Sequence, residues 1–432
     1  MTEQSSKTHH VVIVGAGFGG IYALRTLQKL ARAEDRIEIT LIDKNDSFVF
    51  IPMIHEVATG LLRPDSITMP LRLFSSSHVR NIIQGTVSNV DNDKKILTVF
   101  RHDKSADLSA QPSEISYDSL IIATGSKTNF FGVPGAAEHS FPLRTLDDAR
   151  RIKNRISTMF DAADECDDPI ERARLTRFVV VGGGATGVEM AAEFGECLSA
   201  ELPRSFPRLK SHGEVILIDR GERLLAEGDP WFSQKAEEAL MEKPCTKVLH
   251  ETVVEEVTAD GVKTNRGEIR SGTVIWCAGV GPMVPSVVSN TSPMYDERSG
   301  RLIVTPELTL ATYPDVFVVG DVAAVTDKET GRLYGMRAQF AVRQGAHAAE
   351  NIIARLRGHG LRPFSFHEQG FLVSLGKSKS IAKIGTMRFS GRVAWVIYHV
   401  AYIRSLVGMR AKLRTLLDWT INLFGSRDFS KV

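Results

Sequence analysis

VVIVGAGFGG at residues 11–20 and FVVVGGGATG at residues 178–187 decide the fold of this chain. In each stretch a β-branched run leads into the pattern GxGxxG and then into a segment of helical apolar periodicity, which predicts strand, turn and helix. Without Cβ atoms the turn can be tight, and a pyrophosphate can approach the amide groups of the helix N-terminus. The sequence therefore predicts two dinucleotide cradles, with glycines that serve only tight turns as the alternative. The glycines are Gly15, Gly17, Gly20, Gly182, Gly184 and Gly187.

An acidic residue ends the second strand of each unit. Asp43 closes IEITLID (37–43), and Asp219 closes EVILID (214–219). Such a carboxylate accepts hydrogen bonds from a ribose diol and repels a 2′-phosphate, so Asp219 favours NADH over NADPH. Arg220 stands beside it and leaves that preference open.

Three further strand patterns end on small residues. They are LIIATG (120–125), TVIWCAG (273–279) and DVFVVGD (315–321). Small residues there let the backbone approach a bound cofactor, and the Asp of the last pattern can bind the ribityl hydroxyls of a flavin. An Asp that only caps a helix is the alternative for that position. The residues assigned to cofactor binding are Ala123, Thr124, Gly125, Ala278, Gly279, Gly320 and Asp321.

Length and composition indicate a folded globular protein of roughly two to three domains. The chain has 432 residues, of which 43% are hydrophobic and 24% charged. Its four cysteines are widely spaced and form no CxxC pair, which predicts reduced structural thiols. The close cysteine pair that a disulfide-reducing flavoenzyme needs is therefore absent from the sequence. The cysteines are Cys166, Cys197, Cys245 and Cys277.

Basic charge is concentrated in the C-terminal tail. Residues 377–432 hold eleven Lys and Arg against two Asp, although the whole chain carries only +2. Within the tail, WVIYHVAYIRSLVG (395–408) is apolar and aromatic, and KLRTLLDWTINLF (412–424) repeats its apolar residues at helical spacing. This pattern predicts a helix in the headgroup region of an anionic leaflet, with a face buried in a dimer or against the core as the alternative. The polar and aromatic residues around it are Arg404, Arg410, Lys412, Arg414 and Trp419.

The sequence predicts neither a targeting segment nor a membrane-spanning segment. No apolar stretch is long enough to cross a bilayer. MTEQSSKTHH (1–10) is polar and lacks the apolar core of a secretory signal. We therefore expect a protein without a signal peptide that stays in the cytoplasm.

The order GAGFGG, LIIATG, GGGATG and VFVVGD resembles that of the two-dinucleotide-binding-domain flavoprotein superfamily. Three further stretches and the aromatic, basic tail narrow the resemblance to the type II NADH:quinone oxidoreductases, the non-pumping respiratory NADH dehydrogenases. The resemblance extends from about His10 to Phe424. The stretches are FIPMIHEVATG (50–60), WCAG (276–279) and AQFAVRQG (338–345).

The resemblance implies an α/β fold with two Rossmann-like dinucleotide-binding domains, the second inserted into the first, and a C-terminal amphipathic helical membrane-association segment. Residues 10–145 and 286–375 would form the two parts of an FAD-binding domain. Residues 146–285 would bind NADH, and residues 376–432 would contact the membrane. The implied enzyme binds FAD non-covalently, uses no metal, and transfers hydride from NADH to FAD and then two electrons to a membrane quinone without proton pumping. It would be peripheral, at the cytoplasmic face, and a homodimer is compatible with it.

Three residues take catalytic roles from the resemblance: Glu189, Gln339 and Lys377. Glu189 follows Gly187 closely, where a carboxylate can orient the carboxamide of the nicotinamide and relay a proton; a favourable helix-dipole interaction is the alternative. Gln339 offers a donor and an acceptor to a quinone, and Ala338 beside it is assigned to the cofactor. Lys377 would stabilise an anionic reduced flavin, or it is an ordinary tail lysine.

The chain departs from the family pattern at one position. Many members carry a second glutamine four residues after the first, but here that position is Arg343, and Gln344 follows it. Arg343 can donate to a quinone carbonyl, or it indicates a subfamily with another acceptor. We therefore predict Gln339, Arg343 and Gln344 as substrate-binding residues.

Other functions stay open on the sequence alone. A NADH-dependent reductase of a small redox protein would suit the basic surface but does not need the aromatic tail. A NADH-responsive flavoprotein that changes its dimerisation would reoxidise slowly with every acceptor. A sulfide-oxidising relative would need paired cysteines. Nucleic-acid binding through the tail is disfavoured, because its aromatic residues lie within apolar helical stripes.

Overall fold

The computed structural model describes residues 8–102, 112–210, 212–288, 290–368, 370–424 and 427. Residues 425, 426 and 428–432 of the predicted C-terminal segment lie outside them. The helices are α1 (Phe18–Leu30), α2 (Ile54–Ala58), α3 (Ala136–His139), α4 (Leu146–Glu165), α5 (Pro169–Leu175), α6 (Ala185–Glu196), α7 (Leu202–Ser205), α8 (Pro230–Met241), α9 (Ala338–Leu356), α10 (Gly391–Ser405) and α11 (Met409–Phe424).

The strands follow the same chain order, and most of them are short. They are β1 (His9–Val14), β2 (Ile37–Asp43), β3 (Ser47–Val49), β4 (Thr68–Pro70), β5 (Val79–Asp91), β6 (Ile96–Arg101), β7 (Ser113–Ser116), β8 (Ser119–Ile122), β9 (Ser126–Thr128), β10 (Phe141–Pro142), β11 (Arg177–Val181), β12 (Glu214–Ile218), β13 (Thr246–Leu249), β14 (Val254–Thr258), β15 (Gly261–Thr264), β16 (Gly267–Arg270), β17 (Thr273–Trp276), β18 (Val280–Pro282), β19 (Ser286–Val288), β20 (Leu302–Ile303), β21 (Val316–Val318), β22 (Ala323–Ala324), β23 (Gly370–Ser374), β24 (Ser380–Ile384) and β25 (Met387–Ser390).

The described residues form two compact units, each discontinuous in sequence. The first unit takes its residues from Met1–Val49, Met69–Lys127 and Val280–His367. The second unit takes its residues from Phe50–Thr68, Thr128–Gly279 and Glu368–Val432.

The first unit is built on a sheet with the strand order β21–β8–β1–β2–β5–β6–β7. The strands from β21 to β5 pair in parallel, and β5, β6 and β7 continue as an antiparallel meander. The last four residues of β1 (VVIV) and the whole of β8 (SLII) are buried, as expected for the centre of a parallel sheet. In the same unit α9 packs closely against α1. This contact requires glycine at position 345, because a Cβ at Gly345 would lie only 2.0 Å from the carbonyl oxygen of Gly19.

The second unit has a parallel sheet with the order β10–β17–β11–β12–β13. Its strands β17, β11 and β12 correspond to β8, β1 and β2 of the first unit, and α6 follows β11 as α1 follows β1. An antiparallel sheet of β14, β15 and β16 follows along the chain. The predicted α/β fold is therefore confirmed, and each parallel sheet carries one of the two glycine turns.

The C-terminal part of the second unit consists of an antiparallel sheet and two helices. β23, β24 and β25 form the sheet, and α10 and α11 follow it. The helix expected from residue 412 begins three residues earlier, at Met409. Across the described helices, none combines the length and the apolar character that crossing a bilayer would require.

Candidate functional site

The first cradle is the turn between β1 and α1. Gly15 has φ +101°, and a Cβ there would lie 2.3 Å from the carbonyl oxygen of Ala123. A Cβ at Gly20 would lie 1.8 Å from the carbonyl oxygen of Gly15, so the packing of helix on turn also requires glycine at this position. A Cβ at Gly17 would meet nothing within 4 Å. The outer glycines thus serve the fold, and the middle one leaves open space beside the helix N-terminus.

Asp43 holds this turn through its carboxylate. Its Oδ2 accepts from the backbone N–H of Ala16 at 2.6 Å, and its Oδ1 accepts from that of Asn45 at 2.7 Å. A carboxylate oxygen accepts more than one hydrogen bond, so the side chain keeps capacity for a ribose hydroxyl.

The second cradle, between β11 and α6, repeats this geometry. Gly182 has φ +112°, and a Cβ there would lie 2.8 Å from the backbone N of Ala278. A Cβ at Gly187 would lie 1.8 Å from the carbonyl oxygen of Gly182, and one at Gly184 would meet nothing within 4 Å. In both turns, therefore, the first and third glycines are required by close packing and the second faces open space.

Asp219 plays the part of Asp43 in the second cradle. Its Oδ2 accepts from the N–H of Gly183, and its Oδ1 accepts from that of Gly221 at 2.6 Å. The neighbouring Arg220 places its guanidinium 5.6 Å from the ring centroid of Phe131. That ring would also lie 2.3 Å from a Cβ at Gly279, which explains why the strand end after β17 needs glycine.

Both cradles end at a helix N-terminus suited to an anion. Within the described residues, neither α1 nor α6 has a side-chain cap or an acidic residue in its first turn. The helix dipole and the first amide groups then favour a phosphate at this position. Open space, amide donors and a carboxylate for the ribose together fit a dinucleotide in each cradle.

A second group of predicted residues lies beside the first cradle. Gly320 has φ +77°, and its N–H donates to Oε1 of Gln344 at 2.7 Å. The hydroxyl of Ser126 donates to Oδ2 of Asp321 at 2.5 Å. Gln344 is buried, and this contact gives it a part in holding the turn that presents Asp321.

The predicted strand end after β8 is fixed by backbone contacts within the first unit. Ala123 lies against Gly15, as described above. The hydroxyl of Thr124 donates to the carbonyl oxygen of Met283 at 2.5 Å, and the N–H of Met283 donates to the carbonyl oxygen of Gly125 at 2.9 Å. These three residues therefore form one wall of the first cradle.

The predicted quinone residues lie at the start of α9. Ala338 and Gln339 are half-buried in its first turn, and Arg343 is exposed one turn later. The guanidinium of Arg343 lies 5.4 Å from the ring centroid of Phe366. Gln339 and Arg343 share a helix face because they are four residues apart, whereas Gln344 turns toward Gly320.

Glu189 is a buried acid in α6, the helix that follows the second glycine turn. It is 7% exposed, and its Oε1 accepts from the N–H of Ser374 at 3.2 Å. Burial raises the pKa of Glu189 well above its usual value, and the charges of Glu56 and Glu193 act in the same direction. Burial therefore favours the protonated form of Glu189 relative to an exposed glutamate.

Two neighbouring residues that the sequence reasoning missed extend this acid into a chain. His55 Nδ1 lies 3.6 Å from Glu189 Oε2, and His55 Nε2 lies 4.0 Å from Glu56 Oε1. Burial and the nearby charge of Arg427 lower the pKa of His55 to about 3, so its ring is neutral. The signal in the sequence was an adjacent His and Glu within the otherwise apolar stretch that forms α2.

Glu56 connects this chain to the C-terminal helices. Its Oε2 accepts from Nε1 of Trp419 at 2.7 Å, and the hydroxyl of Tyr398 lies 3.4 Å from its Oε1. Burial raises the pKa of Glu56 to about 8, Glu193 adds to this, and the contacts with Trp419 and Tyr398 oppose it. The expectation that Trp419 belongs to the lipid-facing surroundings of α11 is therefore wrong, because its indole N–H is directed to a buried carboxylate.

A cleft of the second unit opens beside Glu56. Its empty space is about 400 Å³, with open solvent at the mouth included, and Lys377 lies on its wall in the turn between β23 and β24. Glu193 is another lining residue. Its Oε2 accepts from Nη2 of Arg427 at 2.8 Å, and both side chains are 2% exposed. The remaining lining residues are Leu61, Ser374, Gly376, Trp395, His399, Trp419 and Asn422.

The helix α11 packs its polar side inward and leaves its apolar side exposed. Asp418 accepts from Nε of Arg63 at 3.0 Å and from the hydroxyl of Ser66, and Thr415 donates to the carbonyl oxygen of Ser66 at 3.0 Å. The opposite face of α11 is apolar, and α10 also exposes apolar side chains. This leucine face consists of Leu413, Leu416, Leu417 and Ile421 of α11 with Val393, Val396 and Val400 of α10, between 46% and 60% exposed.

The four cysteines are free thiols, as the sequence indicated. Burial raises the pKa of both Cys197 and Cys277 to about 12. These two thiols therefore stay protonated and unreactive at neutral pH.

The fold and its two cradles define a class of protein. A family model described as pyridine nucleotide-disulphide oxidoreductase matches residues 9–345, and the chain belongs to this family. Within it, the chain belongs with the type II NADH:quinone oxidoreductases. The enzyme of that name, Ndh, from Mycobacterium tuberculosis is 33% identical over 99% of this chain and 90% of its own length. A second one from the same organism, NdhA, is 33% identical over 96% of this chain and 87% of its own length.

Solved structures agree at the level of the fold. The structure of NDH2 from Plasmodium falciparum in complex with NADH has a TM-score of 0.89 to this chain at 19% identity. The match covers 98% of this chain and 100% of that one.

Proposed function

We propose that the protein is an FAD-dependent NADH:quinone oxidoreductase that does not pump protons. The overall reaction would convert NADH, one proton and a quinone into NAD⁺ and the quinol. The observation that carries the proposal is the pair of matching cradles in one chain. The whole-length likeness to enzymes named type II NADH:quinone oxidoreductase supports the choice of acceptor.

We assign FAD to the first cradle and NADH to the second. Asp43 would accept from the ribose of FAD, and Asp321 from the ribityl chain of the flavin. Asp219 would accept from the ribose diol of NADH. Bound non-covalently, the flavin would supply the hydride and electron chemistry. The predicted domains follow this assignment, with residues 10–145 and 286–375 for FAD, 146–285 for NADH and 376–432 for the membrane.

The remaining site residues would orient groups and manage protons. Glu189, whose protonated form is favoured by burial, would donate a hydrogen bond to the carboxamide of NADH and act as a proton store. Lys377 would supply positive charge, and Gln339 with Arg343 would donate to the quinone oxygens. Gln344 would act through the turn at Gly320.

The coenzyme preference follows from the second cradle. Asp219 would repel the 2′-phosphate of NADPH. The observed position of Arg220 over the ring of Phe131 gives that guanidinium another contact, which supports a preference for NADH.

A substitution at Gln339 tests the acceptor side. We expect Gln339→Ala to slow flavin reoxidation by a short-chain quinone by about tenfold, the cost of roughly one lost hydrogen bond to the substrate. Flavin reduction by NADH should stay within about twofold. His347→Ala, on an outer part of the same helix, is the matched control. An unchanged quinone reaction in Gln339→Ala would remove this residue from the proposed site.

We further propose that the leucine face docks on the cytoplasmic face of an anionic membrane, where a quinone is dissolved. Exposed Arg392, Arg404, Arg410 and Arg414 lie on the same two helices, and basic residues beside an apolar face suit a helix in the headgroup region. A homodimer through this face is the other arrangement that would cover it.

Sedimentation with vesicles distinguishes the two arrangements. We expect binding to anionic vesicles that weakens with salt and is lost in Leu413→Ser/Leu417→Ser. Leu73→Ser, which changes an equally exposed leucine of the first unit, is the control. A dimer that dissociates in the double variant, without any vesicle binding by the wild type, would contradict the membrane assignment.

A further inference from the structure

The reaction proposed above consumes one proton from solvent for each quinone reduced, and the second unit contains a buried row of titratable side chains. Glu56 lines the cleft, His55 lies behind it on α2, and Glu189 lies behind His55 on α6. Glu189 is two residues from Gly187 in the proposed NADH cradle. The three side chains belong to residues between 1% and 7% exposed, so bulk water reaches them poorly.

We propose that Glu56 and His55 form a proton relay that connects the cleft to Glu189. This role rests on the proposed function, because only a proton-consuming reaction gives the relay a purpose. Neither residue touches the proposed nucleotide position, so both would act as positioning and relay residues through Glu189.

The atoms are arranged for a transfer that leaves no charge behind. Once Glu189 has given its proton to the reacting substrates, the carboxyl of Glu56 gives its proton to Nε2 of His55, while Nδ1–H of His55 gives its proton to the resulting carboxylate of Glu189. The imidazole ends neutral with its tautomer exchanged, Glu56 is reloaded from the cleft, and rotation of the ring restores the starting arrangement for the next turnover. In the part of the chain that the structure describes, His55 Nε2 is buried without a hydrogen-bond partner, which leaves this nitrogen available to accept.

The two gaps are longer than hydrogen bonds, at 4.0 Å and 3.6 Å. Hydrogen bonds of a catalytic site are often long in the free enzyme and shorten when ligands bind. Closing each gap to about 3 Å takes a side-chain movement of about 1 Å or less. Such a movement would switch the relay on only when the site is assembled.

The charged and titratable groups around Glu56 decide when it is loaded. Glu189 and Glu193 face it from α6, Tyr398 and His399 from α10, and Trp419 from α11, with Arg427 beyond Glu193. Burial and the charge of Glu193 favour its protonated form, and the two donors and the charge of Arg427 favour the carboxylate. Because the pKa of Glu56 is raised to about 8, the residue carries its proton below that pH and loses it above.

Kinetics of Glu56→Gln give the first test. Gln keeps the shape and the acceptor for Trp419 but cannot pass a proton. We expect the quinone half-reaction to fall about tenfold or more, within the range for a lost general acid, and its decline above about pH 8 to flatten. The NADH half-reaction should be unchanged. Glu201→Gln changes a buried glutamate that does not line the cleft; it is the matched control and should change neither.

A double variant tests whether the two residues act in series. In one relay, His55→Gln/Glu56→Gln should be no slower than the slower single variant. Rates that multiply would overturn a common route.

Infrared spectroscopy of the oxidised holoenzyme supplies a test without a quinone. We expect a carboxylic-acid carbonyl band that titrates near pH 8 and is absent from Glu56→Gln. Tyr398→Phe removes a donor that favours the carboxylate, so the midpoint of that band should move to higher pH. An unchanged band in both variants would overturn the relay. A wild-type protein that shows the band but never reduces quinones would instead contradict the proposed function.

Discussion

The two glycine cradles share a backbone geometry and differ in the side chain carried by the helix behind it. In both, the third glycine approaches the carbonyl oxygen of the first so closely that a Cβ would stand 1.8 Å away, and the second glycine faces open space. Two residues after the third glycine, the first cradle carries Tyr22 and the second carries Glu189. Tyr22 packs beneath the guanidinium of Arg25 at 5.5 Å, whereas Glu189 heads a buried chain of titratable groups.

This difference separates the requirements of binding from those of chemistry. The glycines are dictated by packing, so both cradles must repeat them. The position of Tyr22 and Glu189 is free of that constraint, and only the second cradle uses it for an acid. The two units therefore share a frame suited to a diphosphate, and only the second places an acid at this position.

The largest effect is expected from adding a methyl group at the close contact between helix and turn, in one cradle at a time. Gly20→Ala should lose FAD and destabilise the first unit, whereas Gly187→Ala should keep FAD and weaken NADH binding about 100-fold, since an overpacked contact costs roughly 3 kcal/mol. Flavin absorbance after gel filtration and an anaerobic NADH titration measure both.

Gly17→Ala and Gly184→Ala are the controls for this pair. Their Cβ atoms would meet no protein atom, so thermal stability should stay close to that of the wild type while ligand binding weakens. The comparison breaks if Gly187→Ala releases FAD and leaves NADH binding intact.

The next largest effect is expected on stability, because a buried ion pair of the second unit and a more exposed one of the first should contribute differently to the unfolding free energy. Arg427 and Glu193 in the second unit are both 2% exposed, whereas Arg357 pairs with Asp35 in the first unit with its own side chain 27% exposed. Arg427→Met leaves a buried carboxylate without its counter-charge, so we expect a loss of about 3 kcal/mol in unfolding free energy. Arg357→Met should cost about 1 kcal/mol or less. Denaturant unfolding of the holoenzyme measures both, and equal losses would contradict this ranking.

Coenzyme preference gives a smaller, specific effect. Asp219→Ser should lower the preference for NADH over NADPH about tenfold, because the repulsion of the 2′-phosphate is removed. Asp43→Ser should leave that preference unchanged and reduce FAD retention instead. Ratios of kcat/KM for the two coenzymes measure the effect, and a shift in Asp43→Ser would reverse the cradle assignment.

The smallest effect is expected from exchanging the residues that differ inside the two motifs. A Cβ at Gly183 would lie 2.7 Å from Oδ2 of Asp219, whereas Ala16 tolerates its Cβ beside Asp43. We expect Gly183→Ala to weaken NADH binding severalfold by moving the carboxylate, and Ala16→Gly to change FAD retention little. Titrations of NADH and FAD check the pair, and an effect confined to Ala16→Gly would contradict the packing argument.

The sequence predicted the features that depend on local spacing. Strand, glycine turn, helix and terminal acid lie within a few tens of residues of each other, so both cradles could be located from their patterns. The helix expected at 412–424 was also located, although it begins at Met409. The surroundings expected for the Trp419 side chain were wrong, because apolar periodicity does not reveal which face of the helix the rest of the protein covers.

The buried relay could not be predicted for a physical reason. Its members come from α2 and α6, and the side chains that contact Glu56 come from α10 and α11. No single segment shows that arrangement. Sequence position suggested Glu189 alone, and the fold supplied His55 and Glu56.

The central claim is that electrons from NADH leave this protein on a quinone, and one anaerobic experiment tests it directly. The holoenzyme is reduced with one equivalent of NADH and then mixed rapidly with a short-chain quinone while flavin absorbance is followed. We predict reoxidation at least as fast as steady-state turnover. A flavin that stays reduced in the presence of the quinone would contradict the account.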